Sequence, residues 1–286
     1  MLREIRDLGF DYAELSHGIR ISLLPGIFDA VDAGEIKIST LHNFCPLPLG
    51  VNHPAPNLYQ FTSPDARERE LAFKHTVKTI ETAARVGAQL VVLHMGSIAM
   101  RNYTDRLGEM IENGQQNTPK YDKLCAEVME KREDKKEKFV ENAYAMLERI
   151  VEVAQKHDIK LGVENREALE EIPLESDLSF FFKRFDNPLV GYWHDTWHAQ
   201  INEQLGFVHH RLLLESMVKR LHGFHIHDVK FPTRDHNPPG SGIIDFAALK
   251  PMVEPRHIKV FEFKPGLTPE EVLGGVTHIK RLWGEE

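Results

Sequence analysis

The stretch LVGYWHDTWHAQ, residues 189–200, starts as a buried strand and ends in side chains that are costly to bury. A fully buried strand normally carries Val, Ile and Leu, but this stretch places His194, Asp195 and His198 beside two tryptophans. Buried polar groups need partners, because a group without one costs free energy. Other strands of the chain combine an apolar run with a polar end in the same way, and this recurrence decides the predicted fold.

Apolar runs with the length of strands alternate with helical patterns along the chain. The predicted strands are residues 11–16, 36–44, 89–95, 159–164, 189–195, 223–229 and 258–263. Thr268 and Glu271 form a capping-box pattern that predicts the start of the last helix. Alternation of this kind predicts parallel strands joined by crossover helices. A (β/α)8 TIM barrel has eight strands and about 250 residues. We therefore predict one α/β domain over residues 1–286, a TIM barrel whose first strand is missing or replaced.

The composition disfavours several classes of protein. The chain has 286 residues, of which 42% are hydrophobic and 27% charged, as in ordinary globular proteins. No apolar run reaches the ~20 residues of a membrane span, and the N-terminus carries no apolar signal core. Cys45 and Cys125 do not make a disulfide framework, which predicts a reducing, cytoplasmic location. The net charge of −8 argues against a broad nucleic-acid surface.

Polar residues stand where each predicted strand ends. In a parallel barrel these ends converge on the face that carries active sites. The residues concerned are His42, His94, Glu164, Asp195, His225, His227 and Glu262. Glu164 and Glu262 are flanked by apolar residues, and two carboxylates that point toward one centre repel each other unless a cation lies between them. Carboxylate and imidazole ligands together suit Mn²⁺, Zn²⁺, Co²⁺ or Mg²⁺, so the set predicts a divalent metal ion.

An ordered set of motifs then resembles a known family. The motifs are LGFDYAELS, LHMG, GVENR, HDTWH, HIHD followed by DHNPPGSG, and FEF. From Gly9 to Glu262 the chain resembles the xylose isomerase-like TIM-barrel superfamily. That superfamily holds sugar and sugar-phosphate isomerases and epimerases, and the apurinic-site endonucleases of the endonuclease IV type. The resemblance to its isomerases implies that one divalent ion is held by Glu164, Asp195, His225 and Glu262.

The resemblance favours an isomerase or epimerase of a sugar, a sugar phosphate or a polyol-derived ketone. A metal-polarised carbonyl acidifies the adjacent C–H bond, and Glu164 and Glu262 are the candidate acid/base pair. Arg166 and Lys230 are candidates for holding hydroxyl, carboxylate or phosphate groups, with surface salt bridging as the alternative. The same ligand set serves dehydratases in this superfamily, so a dehydratase of an inosose-type ketone stays open.

The other alternative is a repair endonuclease with three zinc ions. The superfamily's endonucleases use extra histidine ligands, and the histidines at matching places are His42, His94, His198 and His236. One departure weighs against this alternative, because Arg234 stands where the third zinc needs an aspartate, two residues before His236, and Asp235 is adjacent to that histidine. In the isomerases, histidines on these strands bind substrate hydroxyls. We likewise expect His227 to bind either the substrate or an additional metal ion.

The expected partner is a small carbohydrate, without a membrane or a nucleic acid. If the first barrel strand is absent, the strand DYAELS has one unpaired edge. A partner chain or a rearranged segment could cover this edge, so a homo-oligomer stays open.

Overall fold

The computed structural model describes residues 1–232 and 236–284. Its residues form two compact units that alternate along the chain. The first unit comprises Met1–Gly96, Lys138–Glu164 and Phe180–Gly191, and the second comprises Ser97–Glu137, Asn165–Ser179 and Tyr192–Glu286. The prediction of one domain over residues 1–286 stays a prediction.

Seven strands of the described residues match the predicted apolar runs in order. They are β1 (Tyr12–Leu15), β2 (Lys37–His42), β3 (Leu90–Leu93), β4 (Gly96–Ser97), β5 (Lys160–Glu164), β6 (Glu171–Ile172), β7 (Val190–Asp195), β8 (Leu221–Ile226) and β9 (Ile258–Phe261). The two-residue strands β4 and β6 were not predicted. In residues 1–11 the chain forms a helix, and no strand precedes β1 there, as expected.

Helices separate the main strands. The α-helices of the described residues are α1 (Leu2–Asp7), α2 (Leu24–Asp32), α3 (Ala66–Val86), α4 (Tyr103–Glu112), α5 (Pro119–His157), α6 (Glu175–Arg184), α7 (Thr196–Gln204), α8 (His210–Met217), α9 (Phe246–Leu249) and α10 (Pro269–Trp283). Short 3₁₀ helices cover Ile21–Leu23, Val218–Arg220 and Lys250–Met252. Among these residues no helix has both the length and the apolar sequence that a bilayer span requires.

The first unit contains a parallel run of strands. Its order is β1-β2-β3-β5, and the start of β7 follows. The N–H of Leu161 on β5 donates to the carbonyl of Leu189, just before β7, at 2.7 Å. Every residue of β3 is fully buried, as expected for a parallel strand with helices on the sheet faces. The polar residues His42 and Glu164, at the ends of β2 and β5 in the first unit, therefore lie next to a fully buried apolar strand.

The second unit continues β7 and adds β8 and β9, again in parallel. Asp195 at the end of β7 pairs in register with His225 on β8. The predicted capping box is present at α10: the Thr268 hydroxyl accepts from the Glu271 N–H at 3.2 Å, and the Glu271 carboxylate accepts from the Thr268 N–H at 2.8 Å. The predicted pattern of parallel strands with crossover helices is confirmed.

Candidate metal centre

Asp195 is a firmly held carboxylate of the second unit. Its side chain is 1% exposed, and its Oδ1 accepts from the His198 N–H at 2.8 Å, which caps α7. The Asn165 side chain holds the aspartate backbone from both sides: its Nδ2 donates to the Asp195 carbonyl at 3.0 Å and its Oδ1 accepts from the Asp195 N–H at 2.8 Å. The end of β7 is thus fixed in both backbone and side chain.

His225 brings Asp195 and Glu262 together. It is fully buried, and its Nδ1 lies 3.8 Å from Oδ2 of Asp195 and 3.4 Å from Oε2 of Glu262. Glu262 directly follows β9, and its side chain is 32% exposed. Three predicted metal ligands therefore lie side by side in the second unit, with one of them open to solvent.

These separations fit atoms that share an ion. An N–H···O hydrogen bond spans about 2.7–3.2 Å, so distances of 3.4 and 3.8 Å are long for direct hydrogen bonds. Two donor atoms that are each ~2.0–2.6 Å from one divalent ion lie ~3–4 Å apart. The donor set of one imidazole and two carboxylates also suits such an ion. The residues present in the second unit thus fit a divalent metal.

The first unit carries a second group of candidate ligands. Glu164 ends β5 and is 1% exposed. Nε2 of His94 lies 2.7 Å from its Oε2, and Nε2 of His42 lies 3.9 Å from the same oxygen. Each of the three residues offers a ligand atom, and these atoms lie within 4.8 Å of one another. His42, His94 and Glu164 therefore lie close together.

The outer nitrogens of these histidines show how the rings are oriented. Nδ1 of His42 lies 3.0 Å from the Asn43 carbonyl oxygen, which can only accept, so Nδ1 is the donor. Nδ1 of His94 lies 3.0 Å from Oδ1 of Asn57. In a neutral His42 ring the Nε2 lone pair then faces the Glu164 carboxylate, which is unfavourable unless a proton or a cation lies between them. Metal-bound histidines commonly have this arrangement, with the outer nitrogen donating to a carbonyl.

The remaining predicted histidines lie in the second unit around Trp197. Nδ1 of His198 lies 2.9 Å from the Asn165 carbonyl oxygen. The ring of His236 lies 4.5 Å from the Trp197 ring and 4.4 Å from the His227 ring, measured between centroids. Burial, assisted by the nearby His227, lowers the pKa of His236 to about 3, so its ring is neutral at physiological pH. The rings of Trp197, His227 and His236 thus form one aromatic cluster.

The predicted cations have different surroundings. Arg166 is 6% exposed, and its Nε and Nη2 lie 3.1 and 3.0 Å from Oε1 of Glu171. Lys230 is exposed. Arg234, whose place in the motif argues against a third zinc, and its neighbour Asp235 lie outside the described residues. The substrate-binding roles of Arg166 and Lys230 stay predictions.

Sequence reasoning missed the role of Asp228. Its carboxylate is fully buried and accepts four backbone N–H groups. Oδ1 accepts from Val229 at 2.8 Å and Ile244 at 3.1 Å, and Oδ2 accepts from Gly240 and Gly242 at 2.9 Å each. A Cβ on Gly242 would collide with the Val229 carbonyl and with Asp228. An aspartate followed by the glycine-rich segment NPPGSG was the available signal, because such segments expose N–H groups that need an acceptor.

Comparisons with known proteins agree with this architecture. A family model described as xylose isomerase-like TIM barrel matches residues 2–264. A search of curated proteins finds no match to the chain. Among solved structures, a D-tagatose 3-epimerase-like protein is 18% identical with a TM-score of 0.70, and the match covers 99% of this chain and 91% of that chain.

Two further solved structures are similar over a comparable length. The 3-keto-D-glucoside 4-epimerase YcjR from E. coli is 16% identical with a TM-score of 0.68, and the match covers 98% of this chain and 92% of that chain. The IOLI protein with a binding zinc atom is 16% identical with a TM-score of 0.66, over 99% of this chain and 92% of that chain. At these identities the likeness shows the fold, which agrees with the family model that spans most of the sequence. The chain therefore belongs to the xylose isomerase-like TIM-barrel family.

Proposed function

We propose that the chain is a divalent-metal-dependent isomerase or epimerase of a carbohydrate ketone, either a sugar, a sugar phosphate or a polyol-derived ketone. The observation that carries the proposal is the position of His225 Nδ1, 3.8 Å from Asp195 and 3.4 Å from Glu262. The compared structures support it, since they include a D-tagatose 3-epimerase-like protein, a 3-keto-D-glucoside 4-epimerase and a protein with a binding zinc atom.

The proposed ligands are Glu164, Asp195, His225 and Glu262. Glu164 is a buried carboxylate at the end of a parallel strand. When bound, a divalent ion would polarise a substrate carbonyl and stabilise the negative charge that develops on its oxygen. The donor set of oxygen and nitrogen atoms admits Mn²⁺, Zn²⁺, Co²⁺ or Mg²⁺.

Proton transfer is assigned to the two glutamates. Glu262, with a side chain that is 32% exposed, can reach a substrate from solvent. Its carboxylate removes a proton from the carbon beside the carbonyl, and Glu164 returns one, so that a proton is lost and regained in each turnover. Return to the same carbon from the other face gives an epimer. Return to the former carbonyl carbon, with one hydroxyl proton passing between the two oxygens, gives the isomeric sugar.

The decisive experiment measures exchange of carbon-bound hydrogen with solvent. A panel of ketoses, ketose phosphates and inosose-type ketones is incubated in D₂O with metal-loaded enzyme, and deuterium is measured by mass spectrometry. We expect wild type to incorporate deuterium into at least one member. Glu262→Gln keeps a coordinating oxygen but cannot accept a proton, so exchange should fall by ~10²–10⁴-fold. Glu254→Gln is the control, because Glu254 pairs with Arg256 at the surface.

Each failure has a separate meaning. If metal-loaded wild type exchanges no proton with any member, the isomerase proposal fails. If an inosose-type ketone instead loses water, the enzyme is a dehydratase. Glu262→Gln that exchanges as fast as wild type would refute the assignment of the base, while the ligand set could stand. Asp195→Asn should lose mainly metal, with activity partly restored at high metal concentration.

An abasic-site endonuclease is the second candidate, favoured by one observation. His42, His94 and Glu164 form a further group of possible ligands, in which Glu164 is also one of the four ligands proposed above, in keeping with an enzyme that holds up to three zinc ions. The test is nicking of duplex DNA with one abasic site, with and without chelator, together with a count of ions per chain. We expect no nicking and one ion. Nicking that chelator abolishes, with three ions per chain, would replace the isomerase proposal.

A further inference from the structure

The His227 ring lies closer to the Asp195 carboxylate than the rings of His198 and His225 do. Its Nε2 lies 3.0 Å from Oδ1 and 2.9 Å from Oδ2 of Asp195. A carboxylate can only accept, so Nε2 carries the hydrogen and donates to both oxygens. The ring is fully buried, which strengthens a hydrogen bond to a charged group.

The backbone of His227 is tied to the neighbour of Asp195 as well. The Thr196 hydroxyl donates to the His227 carbonyl at 2.7 Å, and it lies 3.2 Å from the His227 N–H. Thr196 directly follows Asp195 at the start of α7. The imidazole is therefore held against the carboxylate by a second contact one residue away, and it has little freedom to swing aside.

The other ring nitrogen of His227, Nδ1, is buried at a cost in free energy. Nδ1 of His227 is buried and has no hydrogen-bond partner within residues 1–232 and 236–284. Leaving a buried polar atom unsatisfied costs about 1–3 kcal/mol. The ring therefore keeps its Nε2 donor to Asp195 although its Nδ1 is unsatisfied.

The contacts limit how Asp195 can bind a metal. Oδ1 is committed to the His198 N–H at 2.8 Å, and the His227 donor sits between the two oxygens, where a bidentate ion would have to lie. Oδ2 is the oxygen nearest to Nδ1 of His225, at 3.8 Å. We propose that His227 is a positioning residue that fixes the Asp195 carboxylate, so that it binds the metal through Oδ2 alone. This inference rests on the proposed function, because it takes Asp195 as a metal ligand.

The test uses a matched pair of variants. In His227→Gln the side-chain amide nitrogen reaches about as far as Nε2, so the donor is kept. In His227→Asn the amide is one methylene shorter and cannot reach Asp195. Co²⁺ is titrated into the metal-free full-length protein, with affinity measured by calorimetry and coordination by visible absorption. Loss of an outer-shell partner typically weakens metal binding 10–100-fold. We expect this loss, with a changed cobalt spectrum, for His227→Asn, and recovery of most of it for His227→Gln.

His257→Asn is the control, because His257 is a buried histidine of the second unit whose Nδ1 accepts from the Glu254 N–H and which belongs to no group of candidate metal ligands among the described residues. We expect it to bind Co²⁺ with the affinity and spectrum of wild type. Equal affinities of wild type and His227→Asn would overturn the inference. So would equal weakening in His227→Gln or in His257→Asn, because neither change removes the donor to Asp195. If wild type itself binds no Co²⁺, the proposed metal site fails, an outcome distinct from failure of the His227 role.

Discussion

Replacing Asp228 by asparagine should destabilise the protein strongly, although the two side chains have nearly the same shape. The aspartate accepts two backbone N–H groups on each oxygen, at 2.8–3.1 Å. Asparagine keeps one oxygen, so two of the four N–H groups would face an amide NH₂ and lose their acceptor. Each unsatisfied buried donor costs about 1–3 kcal/mol, which gives a loss of about 2–6 kcal/mol.

The assay is urea unfolding of wild type and Asp228→Asn followed by circular dichroism, with the free energy of unfolding taken from the transition. Asp245→Asn is the matched control: Asp245 caps α9 through one exposed hydrogen bond to the Ala248 N–H. Asparagine caps a helix about as well as aspartate, so this variant should stay within ~0.5 kcal/mol of wild type. If Asp228→Asn lost less than about 1 kcal/mol, the carboxylate would not be what holds the segment from Gly240 to Ile244.

Three further predictions concern parts of the chain away from the metal centre. Asp177→Asn should cost about 3–5 kcal/mol in urea unfolding, because it leaves the fully buried guanidinium of Arg132 without its ion-pair partner; a loss below 1 kcal/mol would contradict the pairing. Cys125 should react with a thiol reagent at pH 8 before Cys45, because burial raises the pKa of the Cys45 thiol and that side chain is fully buried; equal labelling rates would refute this. Burial lowers the pKa of His257 to about 4, so stability should fall as the pH drops from about 6.5 toward 4, where only the unfolded state takes up this proton; His257→Gln should flatten that slope.

Strand positions could be predicted because burial on both sides of a parallel sheet leaves a short apolar run in the sequence. The prediction for β8 shows the limit. It began at residue 223 and ended at 229, whereas β8 is Leu221–Ile226. The sequence after Ile226 reads as a continuation of the strand, but Asp228 forms an antiparallel bridge with Asn237 instead. Hydrogen bonds to a loop end the strand, and the pattern of apolar residues does not record them.

The candidate site was predictable to the extent that strand ends collect polar residues. His225 lies 3.8 Å from Asp195 and 3.4 Å from Glu262, and the role of the three residues as metal ligands stays a prediction. The supporting contacts were not predictable, since they depend on distances across the fold. The Asn165 side chain forms hydrogen bonds with the backbone of Asp195, thirty positions further along the chain. Neither the residue types nor their spacing predicts these hydrogen bonds.

The alternation of the two units along the chain affects how this protein could be recombined with a homologue. Three of the unit boundaries, at residues 137/138, 179/180 and 191/192, fall inside α5, α6 and β7 respectively. A crossover placed at these boundaries would join half a helix or half a strand from each parent. Crossovers placed instead in the connections after β3 or before β8 would exchange whole strand-and-helix modules. We expect chimeras of the second kind to give more soluble, folded progeny than chimeras cut at the unit boundaries.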